Sequence, residues 1–172
     1  MALILDSGGL IVALDPYQND HQAFAKALTS HQGPLIISPF VVAELDYMLL
    51  RRYGKQDQLA FLGEVDRGAY LLEPFGDEDF ARARKLLDDY DYLPDFGIAD
   101  ASNAVLAERY VTRDILTTDQ RDFRRIKLPG DPTHPRPAEL GDDALAVGPN
   151  EHFLVASYVV DVAFVEARVH VV

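Results

Sequence analysis

Leu3-Ile4-Leu5-Asp6-Ser7-Gly8-Gly9 is a short apolar run that stops on an acid and two glycines. Its apolar residues do not alternate with polar ones, so it reads as a strand buried on both faces, the pattern of a parallel sheet covered by helices. Leu35-Ile36-Ile37, Tyr70-Leu71-Leu72 and Ile115-Leu116 repeat the signature as further buried strands. Amphipathic stretches around 20–30, 39–52, 56–67, 77–90 and 95–110 lie between them. Strands alternating with helices predict an α/β fold with a central parallel sheet flanked by helices. Gly33-Pro34 and Leu93-Pro94 fall where new elements should begin. Asp6-Ser7-Gly8-Gly9 has neither a phosphate-loop ending nor a dinucleotide fingerprint, and reads as a tight turn into a helix.

With 172 residues and 48% hydrophobic content, the chain can build one domain with a real core. The expected domain is 1–128. Pro129, Gly130, Pro132, Pro135 and Pro137 then mark a linker, and the valine-rich run from His152 to Val172 reads as a β-prone extension whose role is open. The absence of cysteine excludes disulfides, thiolate metal sites and cysteine nucleophiles. Net charge is −12, and residues 130–172 hold 7 acids against 2 bases, so no broad basic surface for nucleic acid is expected. No run approaches the ~20 apolar residues of a membrane span, and no signal-peptide pattern opens the chain, so a cytoplasmic protein without membrane contact is expected. The histidines at 21, 31, 134, 152 and 170 lack ligand spacing, and no Gly-x-Ser-x-Gly elbow is present.

What remains informative is where particular acids fall. Asp6 follows the first apolar run, and Asp119 follows Ile115-Leu116-Thr117-Thr118. Ligands of open parallel sheets bind beyond the carboxyl ends of the strands, so two such acids would share one crevice; either could also be a turn or capping aspartate. Glu44 has Phe40, Val41, Tyr47 and Met48 three and four positions away, which places it in the apolar stripe of a helix over 39–52. A carboxylate buried there needs a cation or a proton. Asp100 sits among Ala99, Ala101, Ala104 and Ala107, small residues that let a helix approach the sheet, whereas Asp95 after Pro94 reads as a helix N-cap. Carboxylates meeting in one cleft repel unless divalent cations neutralise them, and hard oxygen ligands suit magnesium or manganese.

Leu-Ile-Leu-Asp6-Ser7, Val-Val-Ala-Glu44-Leu, Ile-Ala-Asp100-Ala and Leu-Thr-Thr-Asp119 together resemble the four ordered motifs of PIN-domain proteins, with the nearest likeness to VapC-type toxins of toxin–antitoxin modules. The resemblance covers about residues 2–128. It implies a three-layer sandwich, Mg²⁺- or Mn²⁺-dependent cleavage of RNA, homodimerisation and inhibition by a cognate antitoxin. It also assigns the catalytic and metal-binding roles to Asp6, Glu44, Asp100 and Asp119, and supporting hydroxyls to Ser7 and Thr117. Asp122 matches poorly and reads as a surface acid. The extension beyond 128 departs from the family pattern.

Arg51 and Arg52 end the Glu44 helix, and Arg121, Arg124, Arg125 and Lys127 follow Asp119. They are candidate contacts to RNA phosphates, or else helix-end and loop charges. Tyr47, Met48, Leu59, Phe61 and Leu62 exceed what one small core can take, which makes some of them candidates for an antitoxin groove or a dimer face. The rival to catalysis is a silent PIN-like module kept for binding or assembly; a phosphatase-like α/β enzyme would want an acid where Gly8 stands. The reading predicts Asp6 and Asp119 at the carboxyl ends of neighbouring parallel strands, and coordinates placing them on opposite sides of the sheet would remove fold and site together.

Overall fold

A computed structural model describes residues 1–126; the linker, the extension and Lys127 lie outside the described residues. Strands β1 (Leu3–Leu5), β2 (Leu35–Ile37), β3 (Leu71–Leu72) and β4 (Ile115–Leu116) form one sheet in the order β3-β2-β1-β4, every pair parallel. β1 is central, with Leu3, Ile4 and Leu5 opposite Leu35, Ile36 and Ile37 on one side, and Ile4 and Leu5 opposite Ile115 and Leu116 on the other.

The continuous apolar runs are explained by a core on each face of this sheet. Successive strand residues point to opposite faces. Ile4, Ile36 and Ile115 therefore enter one cluster with Ala83 and Leu86 of α5 (Asp77–Asp89), Tyr90 directly after it, and Ala101, Ala104 and Val105 of α6 (Ile98–Tyr110). Leu3, Leu5, Ile37 and Leu116 enter the other. There they meet α1 (Ser7–Leu14), α2 (His21–Ser30), α3 (Pro39–Arg52) and α4 (Lys55–Asp66). Two helical layers with a sheet between them make the three-layer sandwich. Among the described residues no helix is long and apolar enough to cross a membrane.

Local chemistry accounts for where helices start. Ser38 accepts a hydrogen bond from the Phe40 amide at 3.0 Å, and Pro39 stands at the first position of α3, where a missing N–H costs nothing. The first turn of α5 carries Asp77, Glu78 and Asp79, which complement its dipole.

The structure departs from the sequence reading at several points. β3 is an edge strand whose Leu71 and Leu72 are 48% and 45% exposed; only the preceding Tyr70 turns inward, against Phe61. Asp95 does not cap a helix: α6 begins at Ile98 behind Gly97, and the side chain that caps it is that of Asp100. Beyond the expected stretches, α1 is the helix into which the glycine turn leads, and α7 (Gln120–Phe123) is a single turn after Asp119.

Gly9 is where α1 presses on β4. A Cβ there would stand 2.1 Å from the Leu116 carbonyl oxygen, a backbone atom that cannot move aside. Gly9→Ala is expected to destabilise the fold by about 1–3 kcal/mol through overpacking. Gly63, within α4, is the control: its Cβ would meet only the flexible end of Arg67 at 3.4 Å. Gly63→Ala should therefore stabilise by about 0.5–1 kcal/mol. Urea unfolding of the two variants beside the parent protein checks the contrast.

Candidate active site

The parallel register decides which acids meet. The Asp6 amide donates to the Leu116 carbonyl at 3.1 Å, so the residue after β1 lies beside the residues after β4. Asp6 is 5% exposed. Its Oδ2 accepts the Thr117 hydroxyl at 2.8 Å, and its Oδ1 accepts Nδ2 of Asn103, a fully buried residue of α6, at 3.2 Å. Thr117 works in both directions, since its oxygen also accepts the Asp119 amide at 2.9 Å. Asp6 and Asp119 thus leave neighbouring strands on one hydroxyl.

Asp100 comes from the first turn of α6, its Oδ2 accepting the Gly97 amide at 2.8 Å. Burial pushes its carboxyl up to about 7, and the charges of Asp6, Glu44 and Asp119 push in the same direction. That one carboxyl feels all three others is the sign that the four acids converge. Asp6 is pushed up to about 6, again chiefly by burial, with Glu44 adding repulsion and the Thr117 hydroxyl and nearby amides of Ser7 and Gly8 partly offsetting it. No ion pair among the described residues involves Asp6, so its anchors are neutral groups.

Glu44 is exposed, against the expectation that its helix stripe would bury it. The inward face of α3 is Val41, Leu45 and Leu49, spaced by four, and Glu44 lies one residue to the side, on the rim of the crevice. Ser38 sets where this helix enters. Its side chain bonds Ser102 of α6 at 2.6 Å. Because the Ser102 hydroxyl donates its proton to the Ala99 carbonyl, Ser38 is the donor of that pair. This buried thread ties the start of α3 to the start of α6, the elements that carry Glu44 and Asp100.

The remaining candidates separate. Ser7 is buried in the first turn of α1. Asp122 is 2% exposed rather than a surface acid, because α7 turns it inward; its partners are Arg121 at 3.0 Å and Arg125 at 4.0 Å. Arg121 and Arg124 are exposed on or beside α7, next to Asp119. Arg51 and Arg52 are exposed in the last turn of α3, about 10 Å along the helix from Glu44.

Among the described residues, no three acidic or imidazole side chains already stand around one point at ligating distance. The reason is visible at two of the four: Asp100 is turned to the Gly97 amide and Asp119 to the Asp122 amide, at 2.8 and 3.1 Å. The donor set is nonetheless all hard oxygen, and its raised carboxyls mark a crevice short of positive charge, which fits a hard divalent cation.

Sequence reading missed Asn103, Ser38 and Ser102. Asn103 carried a signal, being a polar residue among Ala101, Ala104 and Ala107 on a helix expected to face the sheet. Its Oδ1 is buried without a hydrogen-bond partner among the described residues, an arrangement that costs about 1–3 kcal/mol.

The PIN domain family model matches residues 3–128. Ribonuclease VapC26 of Mycobacterium tuberculosis (strain ATCC 25618 / H37Rv) is 39% identical over 125 residues, covering 73% of this chain and 92% of that protein. The crystal structure of Mycobacterium tuberculosis VapC20, a sarcin-ricin-loop cleaving toxin, has a TM-score of 0.65 at 16% identity, over 71% of this chain and 92% of that one. VapBC2 from Rickettsia felis, crystallised on a DNA fragment from its promoter, has a TM-score of 0.56 at 18% identity, over 73% and 93%. At these identities the two structures speak for the fold alone.

The raised carboxyls have a consequence for stability. An acid whose pKa is higher folded than unfolded keeps its proton in the native state while the unfolded chain has lost it. Its stabilising contribution is complete below the unfolded pKa and is lost as pH climbs through about 6 for Asp6 and about 7 for Asp100. In EDTA, Asp100→Asn should therefore gain melting temperature over the parent between pH 5 and 7.5. Melting curves of the two proteins that run parallel across this range would contradict the electrostatics described.

Proposed function

The chain belongs to the PIN-domain family, and from that premise we propose that it is a metal-dependent endoribonuclease, the toxin of a type II toxin–antitoxin pair. The observation that carries the proposal is the convergence of Asp6, Glu44 and Asp119 on the half-buried carboxyl of Asp100, at the carboxyl ends of the neighbouring strands β1 and β4. A silent binding module would gain nothing from acids that repel one another. The 39% identity to a protein named a ribonuclease supports the reaction class.

Asp6, Glu44, Asp100 and Asp119 would hold Mg²⁺ or Mn²⁺. When bound, the ion supplies Lewis acidity to a phosphodiester and makes a water acidic enough to act as nucleophile. The chain's residues do the rest. Asp6 is the fixed member, clasped on both oxygens. To hold the ion, Asp100 and Asp119 would each give up the amide contact that their carboxylates now make, and Glu44 would turn in from solvent. Behind the carboxylates, Ser7 supports Asp6 through its backbone amide rather than the expected hydroxyl, while the Thr117 hydroxyl holds Asp6 and keeps it in step with Asp119. Arg121 and Arg124, exposed beside Asp119, would contact RNA phosphates, and Arg51 and Arg52 would reach a longer strand farther along α3.

The partner surface follows from exposure. Phe61 is core, while Tyr47 and Leu59 are 64% and 55% exposed on α3 and α4. We assign this face to the antitoxin or to a second copy of the chain, because large apolar side chains exposed on two packed helices mark a partner surface. Light scattering should show a homodimer, and a complex with the product of the adjacent gene; a strict monomer indifferent to that product would remove the assignment.

Cleavage of single-stranded and structured RNA by purified, antitoxin-free protein is the main test. Asp6→Asn and Asp100→Asn should each lower the rate by about 100-fold or more, since groups acting as a unit lose nearly everything with one member. EDTA should abolish cleavage and Mn²⁺ restore it. Activity that survives both Asp100→Asn and chelation would show the four-carboxylate reading to be wrong.

A further inference from the structure

We infer that Asn103 is a positioning residue, one that orients the Asp6 carboxylate for a cation without cancelling its charge; the inference rests on the metal-dependent reading above. Three features make Asn103 a poor choice for packing alone. It is fully buried, its Oδ1 has no partner among the described residues, and asparagine is unfavourable inside a helix. A leucine of similar size would suit its neighbours Ala104 and Leu106 better. The contact that offsets these costs is Nδ2 to Asp6 Oδ1 at 3.2 Å.

That contact has a specific geometry. Thr117 reaches Asp6 from the end of β4 and binds Oδ2 at 2.8 Å, while Asn103 reaches it from α6 and binds Oδ1. With each oxygen held from a different element, the carboxylate cannot turn about its Cβ–Cγ bond. An ionised carboxylate only accepts, so the amide must present its nitrogen, and Oδ1 is left over as a consequence. The choice of an amide also matters. An arginine or lysine here would hold Asp6 equally well but would neutralise it and compete with a cation. An amide and a hydroxyl fix direction and leave the charge available. Such outer contacts typically govern metal affinity by about 10–100-fold.

The test is Mn²⁺ binding measured by titration calorimetry on the full chain, with melting temperature as the control for the fold. Asn103→Leu should weaken Mn²⁺ by about 10-fold or more while its melting temperature stays close to the parent's, because removal of the unpaired Oδ1 and its replacement by apolar packing offset the loss of the donor to Asp6 Oδ1. Asn103→Ser, which keeps a short donor, should recover part of the affinity, and serves where the leucine variant fails to fold. In RNA cleavage the change should fall on kcat at fixed Mn²⁺, with KM for RNA unmoved. Affinity equal to the parent's would overturn the inference and leave the metal reading standing. A fall in affinity seen only with a fall in melting temperature in both variants would assign Asn103 to packing and overturn it as well. Absence of Mn²⁺ binding in the unchanged protein would instead strike the metal reading itself, and the inference with it.

Discussion

The hydrogen bond from the Asp6 amide to the Leu116 carbonyl joins residues far apart in sequence, and the site depends on it. It closes the pairing of β1 with β4, brings Thr117 against Asp6, and sets Asp119 one hydroxyl away. The strands are short, so this register is held less by the ladder than by the two apolar clusters that grip the sheet. One slip would turn Ile4 and Leu5 to the wrong layers and move Asp6 away from its anchors.

Much of this arrangement was legible in the residues. Apolar runs without alternation mark strands buried on both faces, and the acids that end two of them mark a crevice, because neither signal depends on distant context. The failures were of the opposite kind. Glu44 was assigned to the wrong face because α3 carries apolar residues on more than its inward stripe, and only packing shows that Val41, Leu45 and Leu49 are the buried set. β3 was read as buried because local sequence does not say which strand lies at the edge. Asp95 lost the capping role to Asp100, since Gly97 lets the helix begin later. Asn103 escaped notice because its meaning comes from Asp6, 97 positions away.

Two acids lead double lives. Asp100 caps α6 and Asp119 caps α7, so each is already paid for by local structure before any ligand arrives. This explains how a cluster of repelling carboxylates persists in a folded chain: two find amides, Asp6 finds a hydroxyl and an amide nitrogen, and Glu44 stays in solvent. An asparagine could keep either cap while an alanine could not, so side-chain shape and charge are separable at these positions.

The Asp6–Leu116 pairing also orders events in time. Asp6 and Glu44 belong to the part of the domain made early, at the end of β1 and on α3, whereas Asp100 and Asp119 come from α6 and the turn after β4, which are made late. Until Ile115 and Leu116 have emerged, β1 has β2 on one side and nothing to pair with on the other. Long-range pairing is the slow part of forming such sheets. A chain still being synthesised therefore carries its acids apart, and the crevice exists only once nearly the whole domain is free to close, long after α3 and α4 have had time to fold and meet whatever binds them.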